Sequence, residues 1–408
     1  MNREVAVHRG RWSLTDRLDA ILRELPFEVA PGAAGVTVEL EYDRRCGVLD
    51  LGCEGAGGYR GWSGGARDRF TIAERWATPG YLPGAPEPGP WRVLLRLHRV
   101  PPAGLEYTVR VTAHGAAPPE PTPPPVPPPR ERPPRRELPV LRSAGGELRW
   151  YAGDFHAHTV HSDGALTIDE LASLAAGQGL DFLAVTDHNT TSHHPHLPAA
   201  GARHGITLVP GQEVTRDDGH ANVFGDTGFV DFRRPADDWY RAAREGGGVM
   251  SLNHPLSGDC AWRLPLAERP RHVELWHSSW ADRRWGAPLA WSRAWRPDTV
   301  AVGGSDFHRP GEGKTPGTPT TWVLAEDPSP TAVVAALAAG RTAVCAGPGA
   351  PLLLRHGDEL LARDADGLVL VRPDGTRTVV RGDRATAAAD AGPHRLETYE
   401  NEVIALCQ

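Results

Sequence analysis

The chain contains no run of about 20 apolar residues, so nothing in its 408 residues reads as a membrane-spanning helix. Its opening stretch, MNREVAVHRGRWSLTDRLDAILRELPF, is interrupted by Asp16, Asp19, Arg23 and Glu24 before a long apolar core can form, and does not read as a secretory signal. Cysteine is scarce: Cys46, Cys53, Cys260, Cys345 and Cys407 are odd in number, widely spread and form no CxxC pair. Cys46 and Cys53 could bridge or share a metal with a distant partner, but their spacing fits no common zinc pattern and a reducing cytoplasm, the expected location, disfavours disulfides. A basic surplus is missing as well. The formal net charge of -7 argues against a generally basic nucleic-acid surface, so long nucleic acid is not the expected partner. Aromatic content is low, yet Trp, at 13, outnumbers Tyr at 7 and Phe at 8.

What the chain does have is an ordered set of histidines and carboxylates. The stretch WYAGDFHAHTVHSDG places His156 and His158 two apart, on the same side of an extended strand, with Asp163 one turn later. LAVTDHN follows with Asp187 and His188, LVPGQEV with Glu213, GHANVFG with His220, MSLNHP with His254, and VGGSDFH with Asp306 and His308. Most of these clusters end a short apolar run of strand type, which is where β/α enzymes place their chemistry.

In this order the pieces HxH, SDG, TDH, GxE, GH, NHP and GGSDxH resemble the polymerase-and-histidinol-phosphatase (PHP) metallohydrolase superfamily, in its CehA/McbA-like branch, over roughly residues 150 to 345. The resemblance implies an α/β fold, a distorted seven-stranded barrel with two or three divalent metal ions, and most often phosphoester hydrolysis. It carries the ligand role to His156, His158, His188, Glu213, His220, His254, Asp306 and His308, with Asp163 at a position that accepts aspartate or histidine. It also implies a grouping: His156, His158, Glu213 and Asp306 around one ion, His220 and His254 with a bridging Glu213 around a second, and Asp163, His188 and His308 around a third.

A chain of this length exceeds one hydrophobic core, so several domains are expected. Residues 1–115 carry two-residue alternation in Gly35 to Asp43, Trp91 to Val100 and Leu105 to Gly115, as in a small β-sandwich. The segment PGYLPG, Pro79 to Gly84, is similar to one in the β-domain of CehA-like proteins, and its Pro-and-Gly loop could run beside the metal pocket. Residues 116–139 are proline-rich and predict an extended polyproline II spacer or a strap along a surface. Residues 148–345 alternate strand and helix in seven strand candidates, with a capping-box signal at Thr167 and Glu170 for a helix over 168–177. Residues 346–408 read as a small β appendage that could pair with the sandwich.

Imidazole with carboxylate suits borderline ions such as manganese, zinc or iron rather than magnesium or calcium. Such ions hydrolyse esters by activating water, so no protein nucleophile is required. Asp306 could orient that water with Glu213 as bridge, and His161 or His277 could protonate the leaving group. His277 alone in HVELWHSS reads more readily as a packed residue. Asp187 reads as a partner of an imidazole or as a ligand. His193, His194 and His196 sit in a polar, proline-bearing loop and are expected to be exposed. For substrate binding, Arg309 is the first choice, with Arg216 and Arg263 in nearby loops. The tryptophans from Trp276 to Trp295, with Trp276 a further candidate for substrate binding, could line an apolar pocket, stack on a base or pack outside the barrel, the last being slightly favoured. Three functions stand side by side: a phosphoesterase acting on a small molecule, nucleotide or short oligonucleotide end; a hydrolase of a carbamate, ester or amide; and a non-catalytic binding or assembly module.

The ligand set predicts at least two transition ions per chain, with activity lost on chelation and restored by manganese, zinc or iron. Elemental analysis of the purified chain checks this, and full activity at less than one ion per chain contradicts it.

Overall fold

The computed structural model describes residues 2–143 and 146–408, and these divide into two compact units. The first unit holds the chain up to Pro125 together with two loops from further along, Val160–Gly164 and Asp187–His193. Its body is a pair of four-stranded antiparallel sheets. One is ordered β1 (Arg3–Trp12), β8 (Leu105–His114), β3 (Gly35–Tyr42), β6 (Arg69–Ala73); the other is ordered β2 (Leu22–Val29), β7 (Gly89–Arg99), β4 (Val48–Gly55), β5 (Gly58–Gly64). The alternation expected after Leu105 is realised: Leu105, Tyr107, Val109 and Val111 are buried while their neighbours are not. They meet Leu25, Phe27, Val93 and Leu95 of the other sheet in one apolar core, which makes the unit a sandwich. A short helix, α1 (Leu14–Asp19), opens with a capping box between Ser13 and Asp16.

Polar bonds hold the two loops in this unit. Gly80 of the PGYLPG segment donates its N–H to Ser192 Oγ (3.1 Å) and accepts from Thr190 Oγ1 (2.9 Å). Its φ is +100°, and a Cβ there would lie 2.6 Å from Trp62 O and 2.8 Å from His161 O, so only glycine fits. Tyr59 donates to Asn189 O at 2.6 Å, and Arg67 donates to the carbonyls of Val160 and Ser162.

The second unit is built on a large mixed sheet. Its strands β10 (Gly146–Asp154), β11 (Phe182–Val185), β12 (Thr207–Arg216), β13 (Gly219–Phe224), β14 (Val249–Leu252), β15 (His272–His277), β16 (Val300–Gly304) and β17 (Thr320–Ala325) lie in the order β16-β15-β14-β13-β12-β11-β10-β17, with β9 (Leu141–Ser143) paired to β10. The seven strand candidates are all present, and GHANVFG supplies an eighth, β13, antiparallel to both neighbours. Side chains draw the ends of this run together: Thr321 Oγ1 accepts from Gly303 N (2.7 Å) and donates to Gly303 O (2.9 Å). Gly303 permits the approach, since a Cβ there would lie 2.6 Å from Val344. A distorted barrel results. Its helices are α2 (Ile168–Gly177), α3 (Leu197–His204), α4 (Ala236–Glu245), α5 (Ala287–Trp295) and α6 (Pro330–Ala338). The capping box expected at α2 forms in full, and the helix buries Leu171, Ala172, Ala175 and Ala176 with Leu183 and Val185 of the sheet.

Past β17 the sheet continues through β18 (Thr342–Cys345), β25 (Val403–Cys407), β24 (His394–Glu397), β21 (Val369–Val371) and β22 (Arg377–Val379), while β19 (Leu352–His356), β20 (Glu359–Arg363) and β23 (Arg384–Ala388) form a separate small sheet. The appendage therefore joins the second unit through β18, the alternative to pairing with the sandwich. The proline-rich stretch has no helix or strand, as its missing amide donors require. From Val126 onward it is a strap rather than a loose spacer. Pro128 O accepts from Ser173 Oγ (3.1 Å), Arg132 donates to Gly205 O (2.6 Å) and Leu180 O (2.8 Å), and Arg136 donates to Ala350 O (2.7 Å). All five cysteines are free thiols. Among the described residues no helix is long and apolar enough to cross a membrane.

His272, at the start of β15, is buried and its Nε2 bonds to Leu337 O of α6 at 2.9 Å. Burial, helped by Arg271 and opposed by that carbonyl, pushes its pKa down to about 4. The unfolded chain takes up this proton near pH 6.5, so between the two values it binds more protons than the folded chain and stability falls as pH falls. In chains stripped of metal, His272→Gln, which keeps a donor for Leu337, is expected to lose about 2 kcal/mol less than wild type between pH 7 and pH 5. Equal losses in denaturant titrations would contradict this.

Candidate metal centre

The strand ends explain where the polar residues gather. His156 and His158 follow β10, Glu213 lies near the end of β12, His254 follows β14, His277 ends β15, and Asp306 and His308 follow β16. β13 runs the other way, so its second residue, His220, arrives at the same rim. Two of these residues hold a left-handed backbone, His254 with φ +26° and Asp306 with φ +52°. Such conformations cost about 1–3 kcal/mol each for residues other than glycine and persist where surrounding contacts enforce them.

One enforcing residue escaped the sequence reading. Asp154, fully buried at the end of β10, accepts from the backbone N–H groups of His156 (3.0 Å), Ser305 (3.1 Å) and Gly317 (2.7 Å). It thereby ties the HxH segment to the GGSDFH loop. Two backbone bonds extend the tie: Asp306 N to His156 O and His158 N to Phe307 O, both 2.9 Å. The only sequence signal was its place two residues before HxH.

Within the second unit the side chains converge. Asp306 Oδ1 lies 3.2 Å from His156 Nε2 and 3.1 Å from His158 Nε2, while Glu213 places Oε1 3.4 Å from His156 Nε2 and Oε2 3.5 Å from His158 Nε2. The same Glu213 Oε1 lies 3.1 Å from His220 Nδ1 and 3.4 Å from His254 Nε2. Ligand atoms of His156, His158 and Glu213 lie within 4.8 Å of one another, as do those of His220, His254 and Cys260. Glu213 touches both groups, and Asn253 Nδ2 steadies it from behind at 2.7 Å. Cys260 Sγ, absent from the sequence-derived set, approaches His254 Nδ1 at 3.3 Å.

Glu274 was also missed, and it decides how His156 can act. Its Oε1 takes His156 Nδ1 at 2.9 Å and its Oε2 takes the N–H of His254 at 2.8 Å. A carboxylate on Nδ1 fixes the proton there and turns the Nε2 lone pair inward, the arrangement that metal-ligating histidines use. His156 Nε2 is fully buried and makes no well-aligned hydrogen bond. His308 shows the same polarity, its Nδ1 donating to Asp306 O at 2.9 Å. His277 is the opposite: the N–H of Ser279 donates to its Nδ1 at 3.0 Å, so in the neutral ring the proton sits on Nε2, which faces Asp306 Oδ2 at 3.3 Å. His277 thus presents an N–H, not a lone pair, at Nε2.

Glu213 and Glu274 are buried and Asp306 half-buried beside them, and the three together require positive charge. Burial alone disfavours imidazolium, but these carboxylates outweigh it, raising His156 well above its usual range and His254, with Cys260 contributing, to about 10. Protons on the imidazoles or divalent ions in their place meet that requirement, so the donor set fits ions of the borderline kind.

The remaining candidates are placed as follows. Asp163 and His188 belong to the first unit, 3.7 Å apart. His161 is there too, bonded through Nδ1 to Ser192 Oγ at 2.8 Å, as is Asp187, which accepts from Ser162 Oγ at 2.6 Å. His193, expected in solvent, is fully buried with Nδ1 3.4 Å from Asp187, because its loop folds into the first unit; His196 is exposed as expected and His194 partly so. Arg309 pairs with Glu312 (3.2 Å), Arg216 with Asp218 (3.0 Å), and Arg263 donates to Asp217 O. Trp276 packs with Leu275, Ala301, Val344, Val403 and Leu406, the structural use that the sequence favoured.

Residues 154–264 match the PHP domain. Over 62 residues the chain is 44% identical to the 3',5'-nucleoside bisphosphate phosphatase of Chromobacterium violaceum, spanning 15% of this chain and 22% of that protein. Over 65 residues it is 37% identical to the phosphoribosyl 1,2-cyclic phosphate 1,2-diphosphodiesterase of Eggerthella lenta, spanning 16% and 25%. The chain thus matches about a quarter or less of the length of these curated relatives. Among solved structures, a two-domain protein from Bacteroides vulgatus containing a predicted PHP-like metal-dependent phosphoesterase aligns with a TM-score of 0.43 at 18% identity, over 68% of this chain and 99% of that one.

Replacing Glu274 by Gln keeps volume but sets an amide N–H2 against one of the two N–H donors. Metal affinity, measured by competition with a chromogenic chelator, is expected to fall about 10- to 100-fold. Unchanged affinity would show that Glu274 does not orient His156.

Proposed function

We propose that the chain is a metal-dependent phosphoesterase acting on a small molecule, a nucleotide or a short oligonucleotide end. The observation that carries this reading is Glu213, whose one carboxylate touches the His156–His158 group and the His220–His254 group together. In the proposal His156, His158, Glu213 and Asp306 hold one ion and Glu213, His220 and His254 a second, with Asp163, His188 and His308 retained as a third group on the sequence pattern. Manganese, zinc or iron bound there would supply a water acidic enough to ionise near neutral pH and would neutralise the phosphoryl oxygens.

The chain's own groups do the rest. Asp306 presents Oδ1 to His156 and His158 and Oδ2 to His277, a position from which it can align the attacking water. His277 carries its proton on Nε2 and, with the Ser279 N–H held on Nδ1, can donate a hydrogen bond to the departing oxygen, whose proton then comes from water. This favours His277 over His161, which is committed to Ser192. The PGYLPG segment and the CehA/McbA-like pattern support a second reading, hydrolysis of a carbamate, ester or amide, because an activated hydroxide attacks a carbonyl by the same electrostatic logic.

One assay separates these readings from a non-catalytic module: chromophore release from a phosphodiester, a phosphomonoester and an aryl carbamate, by wild type and His156→Ala. Phosphoester turnover at least tenfold above carbamate turnover, lost in the variant, is expected. The reverse ratio selects the carbonyl reading, and no metal-dependent turnover selects the module.

A further inference from the structure

The second unit holds a cavity of about 640 Å³ next to the GGSDFH loop. Its lining includes Pro128, Leu166, Leu174, Phe307, Lys314 and Thr315. The proline strap forms one wall, and the Ser173 bond to Pro128 O together with the Arg132 bonds to Gly205 O and Leu180 O hold that wall in place. Beneath the cavity lies the almost fully buried Phe307, which stands between Asp306 and His308 in the chain. Lys314 belongs to both places: it lines the cavity, and its Nζ lies 3.3 Å from Asp306 Oδ2. A larger cavity of about 720 Å³, lined by Leu197, Leu208 and Pro328 among others, contains none of the converging histidines and carboxylates.

We propose that this cavity receives the organic part of the substrate and that Lys314, at its metal-side end, binds the anionic group to be hydrolysed. The proposal rests on the phosphoester reading and narrows its substrate class to small monoesters of apolar, ring-bearing alcohols. Three observations lead there. The volume is that of a small-molecule site. The faces of Pro127, Pro128 and Pro129 accept a flat ring, whereas Arg130 and Lys314, with Glu170 beside them, are too few cations for a polyanion track. The arginines considered for phosphate are engaged in their own turns, Arg309 with Glu312 and Arg216 with Asp218, while Lys314 points at the one carboxylate that also faces His156, His158 and His277. An ammonium is a compact point charge and suits a single terminal phosphate. The linker read from sequence as a spacer or a surface strap thereby becomes a wall of the substrate pocket.

The test compares 1-naphthyl phosphate with methyl phosphate, measuring kcat, KM and ions per chain for metal-loaded wild type, Lys314→Gln and Thr315→Trp. Lys314→Gln is expected to raise KM for both esters at least tenfold with ions per chain unchanged. Thr315 is exposed at the rim, so a tryptophan there fills the cavity without burdening the core; it is expected to cut the naphthyl-to-methyl ratio of kcat/KM at least tenfold. If wild type turns over the esters and both variants stay within twofold of it, the cavity assignment is overturned and the phosphoester reading stands. If metal-loaded wild type turns over neither ester, the phosphoester reading falls and this assignment with it.

Discussion

Everything in the second unit's rim depends on one electrostatic constraint: Glu213 and Glu274 are held out of water, with Asp306 half-buried beside them. Buried carboxylates cannot persist without compensating charge, and the chain surrounds them with His156, His158, His220, His254 and His277 rather than with arginine. Imidazole is the one side chain that can supply that charge as a proton and give it up to an ion near neutral pH. A set of fixed guanidinium partners would have closed the site to metals. The choice of partner therefore already contains the chemistry.

The second feature is that the histidines are not equivalent, and their unlike roles are set by what touches the far nitrogen. A carboxylate behind His156 and a carbonyl behind His308 make their Nε2 atoms acceptors. A backbone N–H behind His277 makes its Nε2 a donor. Three imidazoles at the same rim thus divide into two that present a lone pair and one that presents an N–H, through single hydrogen bonds to their outer faces. Glu274 has a further part in this, since its other oxygen holds the N–H of His254, a residue kept in a left-handed conformation.

The scaffold around the centre is held by polar ties to main-chain carbonyls more than by regular structure. Arg132 and Arg136 fasten the proline strap to the second unit, and Arg67 with Tyr59 fastens the Val160–Gly164 and Asp187–His193 loops within the first. Such bonds suit segments that cannot enter a ladder: prolines lack donors, and loops carry carbonyls that need partners once they are covered. A preformed polyproline conformation also loses little entropy when it is strapped down.

The sequence alone determined the ligand residues as candidates, the strand that follows each apolar run, the capped helix at Thr167 and the alternation of the sandwich strands, because these are encoded in residue type and in periods of two or 3.6 that neighbours in the chain carry. It did not reveal Glu274 or Asp154, since one carboxylate inside an apolar strand has no local signal; their roles exist only once β15 lies beside β16 and the end of β10 meets the loop around Ser305 and Gly317. The tautomer of His277, the burial of His193, the joining of the C-terminal strands to β18 and the placing of Lys314 on Asp306 were likewise decided by contacts between segments distant along the chain. Local sequence specifies which groups a segment offers and which way they alternate, whereas the partner that gives each group its function is chosen by tertiary packing.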